Sequence, residues 1–105
     1  MGVKVFWTDF AKLQLRHIFD YHHEKVNLKI ARKIIAGIVS EAKLLALNSE
    51  IGQVEDLLLP RKEDFRYLIF TNYKIVYWIN KKKGRIEIAD VFDTRQNPVK
   101  MKREK

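Results

Sequence analysis

The stretch FRYLIFTNYKIVYWI, residues 65–79, predicts the centre of a β-sheet. Most of its residues are aromatic or β-branched, the types that strands favour. Thr71 and Asn72 divide it into two runs, residues 65–70 and 73–79. Because Asn tolerates positive φ, we expect a tight turn between the runs. The stretch therefore predicts a β-hairpin.

A third strand is predicted directly after this hairpin. Residues 81–84 contain three lysines and a glycine and predict a second turn, and residues 85–92 return as a strand. The connector before the hairpin, residues 51–64, is the least regular part of the chain. Within it Leu57, Leu58 and Leu59 are too apolar to be fully solvated, and we expect them to pack at the edge of the domain as a short turn or strand.

Two helices are predicted on the N-terminal side of this sheet. Residues 3–7 form a short aromatic strand, after which Thr8 can cap a helix that has Asp9 in its first turn. This helix runs to about Glu24, and Asn27 can cap a second helix that ends near Leu47. Both carry apolar residues at helical spacing: Ala11, Leu15, Ile18, Phe19 and His22 in the first, and Leu28, Ala31, Ile35, Ile38, Ala42 and Leu45 in the second.

Together these elements predict an α+β fold of order β-α-α-β-β-β. The short link between the helices favours an antiparallel helical hairpin, which packs on one face of a mainly antiparallel sheet and leaves the other face more open. A length of 105 residues fits one domain, residues 1–105, with a basic tail at about 99–105. The sequence lacks cysteine, a signal peptide pattern and an apolar run long enough to span a membrane, so we expect a cytoplasmic protein.

The net charge of +8 predicts an acidic partner: a nucleic acid, a ribosome or an acidic protein segment. The turn at residues 80–85 and the tail at residues 100–105 together hold many of the 21 basic residues. Either segment can instead be a solvated turn or a frayed end.

Conventional catalytic motifs are not found in this sequence. His17, His22 and His23 all lie on the first predicted helix, and His22 falls on its apolar face, which favours a packing role. We therefore predict no metal site and no cofactor. Cations and aromatic residues on the sheet are left as candidates for binding phosphates or stacking on bases: Arg66, Tyr67, Tyr73, Lys74, Tyr77, Trp78, Arg85 and Arg95. Tyr67 and Trp78 are favoured as packing residues instead.

The length of the hairpin turn decides which of these side chains share a face. With a two-residue turn, Phe70 pairs with Tyr73, and Arg66 lies opposite Tyr77 on the face that Tyr73 shares. Lys74 then points to the other face. A bulge or a longer turn would bring Arg66 and Lys74 together, and the sequence leaves both arrangements open.

The chain resembles the RelE/ParE family of bacterial toxins over nearly its whole length. The matching stretches are residues 6–11 (FWTDFA), 65–68 (FRYL), 73–77 (YKIVY) and 91–98 (VFDTRQNP), in that order within a basic chain. The resemblance implies the toxin of a type II toxin–antitoxin module, of the plasmid stabilisation type, which arrests growth and is neutralised by a cognate antitoxin.

Two branches of that family imply different targets. ParE-like members inhibit DNA gyrase, and RelE-like members cleave mRNA on the ribosome without a metal. The pattern around Val91, Arg95 and Pro98 is similar to the ParE branch, with Asp93 where a His is often found. Lys74 stands where the nucleases usually have Arg, a change that loses bidentate phosphate geometry. We therefore expect gyrase inhibition.

The alternatives are a ribosome-dependent endonuclease and a non-toxic RNA-binding relic. Two sets of candidate residues follow. The nuclease candidates are Arg66, Lys74, Tyr77 and Arg95. The target-binding candidates are Arg66, Tyr73, Lys74, Arg85, Asp93 and Arg95.

Overall fold

The computed structural model describes residues 3–54 and 65–95. Along the chain its elements are β1 (Lys4–Trp7), α1 (Asp9–Lys25), α2 (Leu28–Lys43), a 3₁₀ turn (Leu44–Ala46), β2 (Gln53–Val54), β3 (Phe65–Phe70), β4 (Tyr73–Asn80) and β5 (Arg85–Asp93). This order confirms the predicted α+β fold, with β2 as an additional strand in the connector. Leu57, Leu58, Leu59 and the basic tail at 99–105 lie outside the described residues.

Both predicted helix caps are confirmed. The Thr8 hydroxyl accepts a hydrogen bond from the Ala11 N–H at 3.2 Å and donates one to the Ile88 carbonyl at 2.8 Å. The Asn27 side chain accepts from the Ile30 N–H at 2.8 Å. These bonds satisfy N–H groups that the first turn of a helix leaves without partners. Thr8 also ties the start of α1 to β5.

Replacing Thr8 with Ala is expected to lower the free energy of unfolding by about 1–2 kcal/mol, because the helix cap and the bond to β5 are lost together. Thr8→Ser keeps the hydroxyl and should retain most of the stability. Urea denaturation with an unchanged m value would measure both variants. Equal losses for Ala and Ser would show that the hydroxyl contributes nothing.

The sheet has five strands in the order β1-β5-β4-β3-β2. β1 is parallel to β5, and the remaining neighbours are antiparallel. In the β3–β4 hairpin Phe70 pairs with Tyr73 and Arg66 pairs with Tyr77, which is the register expected for a two-residue turn. Arg66 and Lys74 therefore point to opposite faces.

The backbone of that turn differs from the expectation. Thr71 has the positive φ, at 52°, where Asn72 was expected to take it. Positive φ at the first turn residue is typical of a type II′ turn. The Asn72 carbonyl accepts hydrogen bonds from the N–H and the hydroxyl of Thr94, at 2.7 and 2.9 Å. These bonds tie the Asn72 peptide to the residue that follows β5.

A β-bulge interrupts the pairing of β4 with β5. Tyr77 pairs with Ile88 and Val76 pairs with Asp90, which leaves Ala89 without an opposite residue. The bulge changes which residues of β5 face the helices: Ile86 and Ile88 do so before it, and Val91 does so after it.

The main core lies between the helical hairpin and one face of the sheet. Its fully buried members include Ala11, Ile38, Leu45, Tyr77 and Ile88. The opposite face is less open than expected, because Val76 and Phe92 are buried there with Phe65 and Tyr67 packed against them. Both faces of the central strands therefore contribute apolar burial. No helix in the described part of the chain is long and apolar enough to cross a membrane.

Candidate functional site

Three elements meet at one end of the sheet: the last turn of α1, the β3–β4 turn and the end of β5. There His22 Nε2 lies 2.7 Å from the Tyr73 hydroxyl, and which atom donates depends on the imidazole tautomer. Tyr21 packs edge-on against the His22 ring, with the centroids 5.2 Å apart. Tyr73 is buried, whereas Tyr21 is 53% exposed. The cluster therefore runs from the core to the surface.

Asp93 and Arg95 form the outer part of this cluster. Arg95 Nε lies 3.0 and 3.1 Å from the two carboxylate oxygens of Asp93, and Nη2 lies 2.6 Å from Oδ2. The backbone N–H of Arg95 also donates to Oδ1, at 2.9 Å. Three short contacts fix the direction of the guanidinium group, yet the Arg95 side chain is 67% exposed. Arg95 is thus an oriented cation at the surface.

The electrostatics of the cluster keep both acidic groups in defined protonation states. Hydrogen bonds from Arg95 hold the pKa of the Asp93 carboxyl well below its ordinary value. Burial, and then the negative charge of Asp93, raise the pKa of the Tyr73 phenol. At neutral pH Asp93 is therefore ionised, and the Tyr73 phenol is protonated.

Asp93→Asn is expected to make the free energy of unfolding less dependent on pH in the acid range. Because its pKa is lowered in the folded state, the Asp93 carboxylate stabilises the fold above the ordinary carboxyl pKa of about 4, and this contribution is lost as the pH falls. The stability gap between wild type and Asp93→Asn should therefore shrink between pH 7 and pH 3. Thermal unfolding across that range would measure it, with Asp20→Asn as a control that removes a more exposed paired carboxylate. A constant gap would contradict the prediction.

The structure brings together only part of the predicted target-binding set. Tyr73, Asp93 and Arg95 lie in this cluster, and Lys74 and Arg85 do not. Lys74 lies on the opposite face with its ammonium 4.1 Å from the centre of the Tyr67 ring. Arg85 contacts Glu87 at 2.9 Å and stacks on the Phe6 ring.

Arg66 and Tyr77 make contacts that hold the backbone at Ser49 and Gly52. Arg66 Nη1 donates to the Gly52 carbonyl at 3.2 Å. The Tyr77 hydroxyl donates to the Ser49 carbonyl at 2.8 Å and accepts from the Gly52 N–H at 3.0 Å. Since Tyr77 is fully buried and Lys74 lies on the other face, the four nuclease candidates are not assembled on one surface.

Two residues of the cluster were not predicted as site residues: Tyr21 and His22. His22 was correctly placed on the inward face of α1, but the same position was interpreted as packing alone. The sequence signal was a histidine at an otherwise apolar position, next to a tyrosine. Among the described residues no group of three or more His, Asp or Glu side chains is placed to hold a metal ion.

The chain is similar to known proteins in both sequence and fold. The family model for the ParE toxin of type II toxin-antitoxin system, parDE, matches residues 5–98. A solved chain from the chromosomal ParDE TA system of P. aeruginosa is similar, with a TM-score of 0.70 and 19% identity, covering 88% of this chain and 96% of that one. At this identity the structural likeness concerns the fold alone. None of the curated proteins matches the chain.

Proposed function

The chain belongs to the ParE toxin family of type II toxin–antitoxin systems, and from this we propose that it inhibits DNA gyrase until a cognate antitoxin neutralises it. The observation that carries the proposal is the oriented, exposed guanidinium of Arg95 beside Asp93, at the end of β5. A charged group held in one direction and open to solvent suits contact with a protein target, because little side-chain freedom is lost on binding. In this proposal Tyr73 and His22, on the inner side of the cluster, support the positions of Asp93 and Arg95.

The proposed inhibition is a binding activity without bond cleavage. mRNA cleavage would need cations and a proton donor to converge on one phosphate. Lys74 lies on the other face from Arg66 and Tyr77, and the hydroxyl of Tyr77 is occupied by backbone groups. These placements favour gyrase over the ribosome as the target.

The outer surface of the helical hairpin supports the proposed antitoxin contact. Leu13 and Tyr21 are exposed on one side of α1, and Val26 and Leu28 are exposed at the link between the helices. Exposed apolar residues at this spacing suit an amphipathic segment of a partner. The net charge of +8 favours a partner segment that is acidic.

Two assays on the purified protein test the proposed target. We expect the protein to block supercoiling by gyrase and to leave mRNA intact in a translation extract. Cut mRNA with normal supercoiling would replace the proposal with the endonuclease alternative. Absence of both effects would favour the non-toxic relic.

A growth experiment tests the proposed antitoxin. Induced expression of the toxin alone should arrest growth, and co-expression with the protein encoded by the neighbouring reading frame should restore it. Unimpaired growth with the toxin alone, together with purification free of any bound antitoxin, would contradict the assignment of a neutralised toxin.

A further inference from the structure

The outward side of α2 carries a row of positive charge that forms no ion pair with a carboxylate of residues 3–54 or 65–95. The exposed residues of α2 after Leu28 are Lys29, Arg32, Lys33, Ala36, Ser40 and Lys43. Apart from the adjacent Arg32 and Lys33, successive positions differ by three or four residues, so they lie on one side of a helix with 3.6 residues per turn. We call this surface the α2 basic row. At a rise of about 1.5 Å per residue it is about 21 Å long.

The charges at the N-terminal end of the α2 basic row make the isolated helix less stable. Lys29 lies one turn from both Arg32 and Lys33, so like charges are neighbours. Lys29 also stands in the first turn, where the helix dipole favours negative charge, and α2 has no acidic residue there. Neither effect helps the fold, so the row is better explained by a contact with another molecule.

α1 shows what an ordinary solvated helix of this protein looks like. Its exposed charges are mixed, since Asp9, Asp20 and Glu24 stand among its basic residues. Arg16 and Asp20 form an i,i+4 ion pair with 3.5 Å between Nε and Oδ1. By contrast, the one acidic residue of α2, Glu41, is half-buried, and the ion pairs observed within residues 3–54 and 65–95 do not include any cation of the α2 basic row.

We propose that the α2 basic row binds the phosphate backbone of duplex DNA. A straight row of exposed cations matches a rigid polyanion that carries about one negative charge per 1.7 Å of its axis. In the middle of the row, Ala36 and Ser40 have small side chains that let the helix approach the backbone closely. The contact is independent of sequence, because it is made to phosphates alone.

The composition of α2 favours a duplex over a single strand. Single-stranded nucleic acids are bound by aromatic side chains on which bases stack, and α2 contains no aromatic residue. The choice of DNA over duplex RNA rests on the proposed function, since gyrase acts while bound to DNA. The α2 basic row would then hold the toxin on the DNA near its target.

Salt-dependent binding of a labelled duplex tests this proposal. Each phosphate contact contributes about 0.9 to the slope of log K against log salt. In Lys29→Gln/Arg32→Gln/Lys33→Gln we expect the slope to fall by about 2.7 and the affinity at 0.1 M salt to fall at least tenfold. Gln has a helix propensity close to that of Lys and Arg, so α2 should stay intact, which circular dichroism would verify.

A matched control removes the same charge elsewhere. Lys81→Gln/Lys82→Gln/Lys83→Gln changes the exposed β4–β5 turn and also removes three positive charges. We expect its salt slope to change by less than about one. Equal losses in the two variants would overturn the proposal, because the effect would then follow net charge. A wild-type protein that does not bind duplex DNA even at 50 mM salt would overturn it as well.

Further binding measurements distinguish duplex DNA from other partners. Tighter binding of duplex RNA or single-stranded DNA than of duplex DNA would overturn the assignment to DNA. Loss of antitoxin affinity in the α2 variant, with DNA affinity unchanged, would identify the row as a protein-binding surface. Gyrase is absent from these measurements, so a failed gyrase assay would remove the proposed function and leave the DNA result to be judged separately.

Discussion

Gly52→Ala is expected to lower the free energy of unfolding by about 2–4 kcal/mol, or the melting temperature by roughly 10–20 °C. A Cβ at residue 52 would lie 2.6 Å from the Tyr67 carbonyl oxygen and 2.6 Å from the Tyr77 hydroxyl oxygen. The first of these atoms belongs to the backbone of β3 and cannot rotate away. The backbone at residue 52 would therefore have to move away from β3.

Movement of residue 52 would also break hydrogen bonds. The Gly52 N–H donates to Tyr77, and its carbonyl accepts from Arg66. The Tyr77 hydroxyl is buried, so a lost partner there is not replaced by water without further rearrangement. Overpacking and lost hydrogen bonds act together, which makes this the most damaging small substitution that we predict.

Gly84→Ala is the matched control for this substitution. Gly84 has a positive φ of 62°, and nothing lies within 4 Å of the site of a new Cβ. Its replacement should cost only the left-handed conformation of an alanine, about 1 kcal/mol. Thermal and urea unfolding of the two variants would measure the difference. If Gly52→Ala lowers the free energy of unfolding no more than Gly84→Ala does, residue 52 is not held against β3 and β4 as described.

Arg95→Ala is expected to weaken gyrase inhibition by at least about 30-fold, the effect of a residue at the centre of an interface. The guanidinium is held by Asp93 and open to solvent, so its removal would take away the proposed contact with the target. The pair with Asp93 contributes some stability, but because the guanidinium is mostly exposed, the fall in melting temperature should be small beside the loss of inhibition. Activity and stability are therefore expected to separate.

Arg16→Ala is the control for Arg95→Ala. Arg16 is also an exposed arginine paired with an aspartate, at 3.5 Å, but it lies on α1 away from the β5 end. Its loss should leave gyrase inhibition within about twofold of wild type. Supercoiling assays and melting curves on both variants would test this. Parallel loss of activity and stability in Arg95→Ala would mean that the pair with Asp93 anchors the end of β5 and does not contact the target.

The two helices and the β3–β4 hairpin could be predicted because their signals are local. Thr8 and Asn27 cap helices through bonds to residues three positions later. Alternating side chains and a two-residue turn determine the β3–β4 register, and Phe70 does pair with Tyr73. In the turn Thr71 and not Asn72 has the positive φ, and the Asn72 carbonyl is bonded by Thr94, 22 residues away. The conformational propensity of Asn does not predict a contact with such a distant residue.

The family could also be predicted from the sequence, because order and spacing of short aromatic and basic stretches are properties of the chain itself. The match to the ParE toxin family over residues 5–98 confirms the ParE branch. Which candidate side chains meet was decided by the tertiary structure. His22 and Tyr73 are 51 residues apart, and Tyr77 and Ser49 are 28 apart.

Those distant pairs explain what changed in the candidate site. Packing of α1 across the sheet brings His22 to Tyr73, beside Asp93 and Arg95. The Tyr77 hydroxyl and the Arg66 guanidinium instead form hydrogen bonds with the backbone at Ser49 and Gly52. The sequence by itself determined the elements, their order and the family, since these depend on neighbours along the chain. Only the tertiary structure decided which polar groups form internal hydrogen bonds and which are exposed at the surface, because that depends on how distant elements pack.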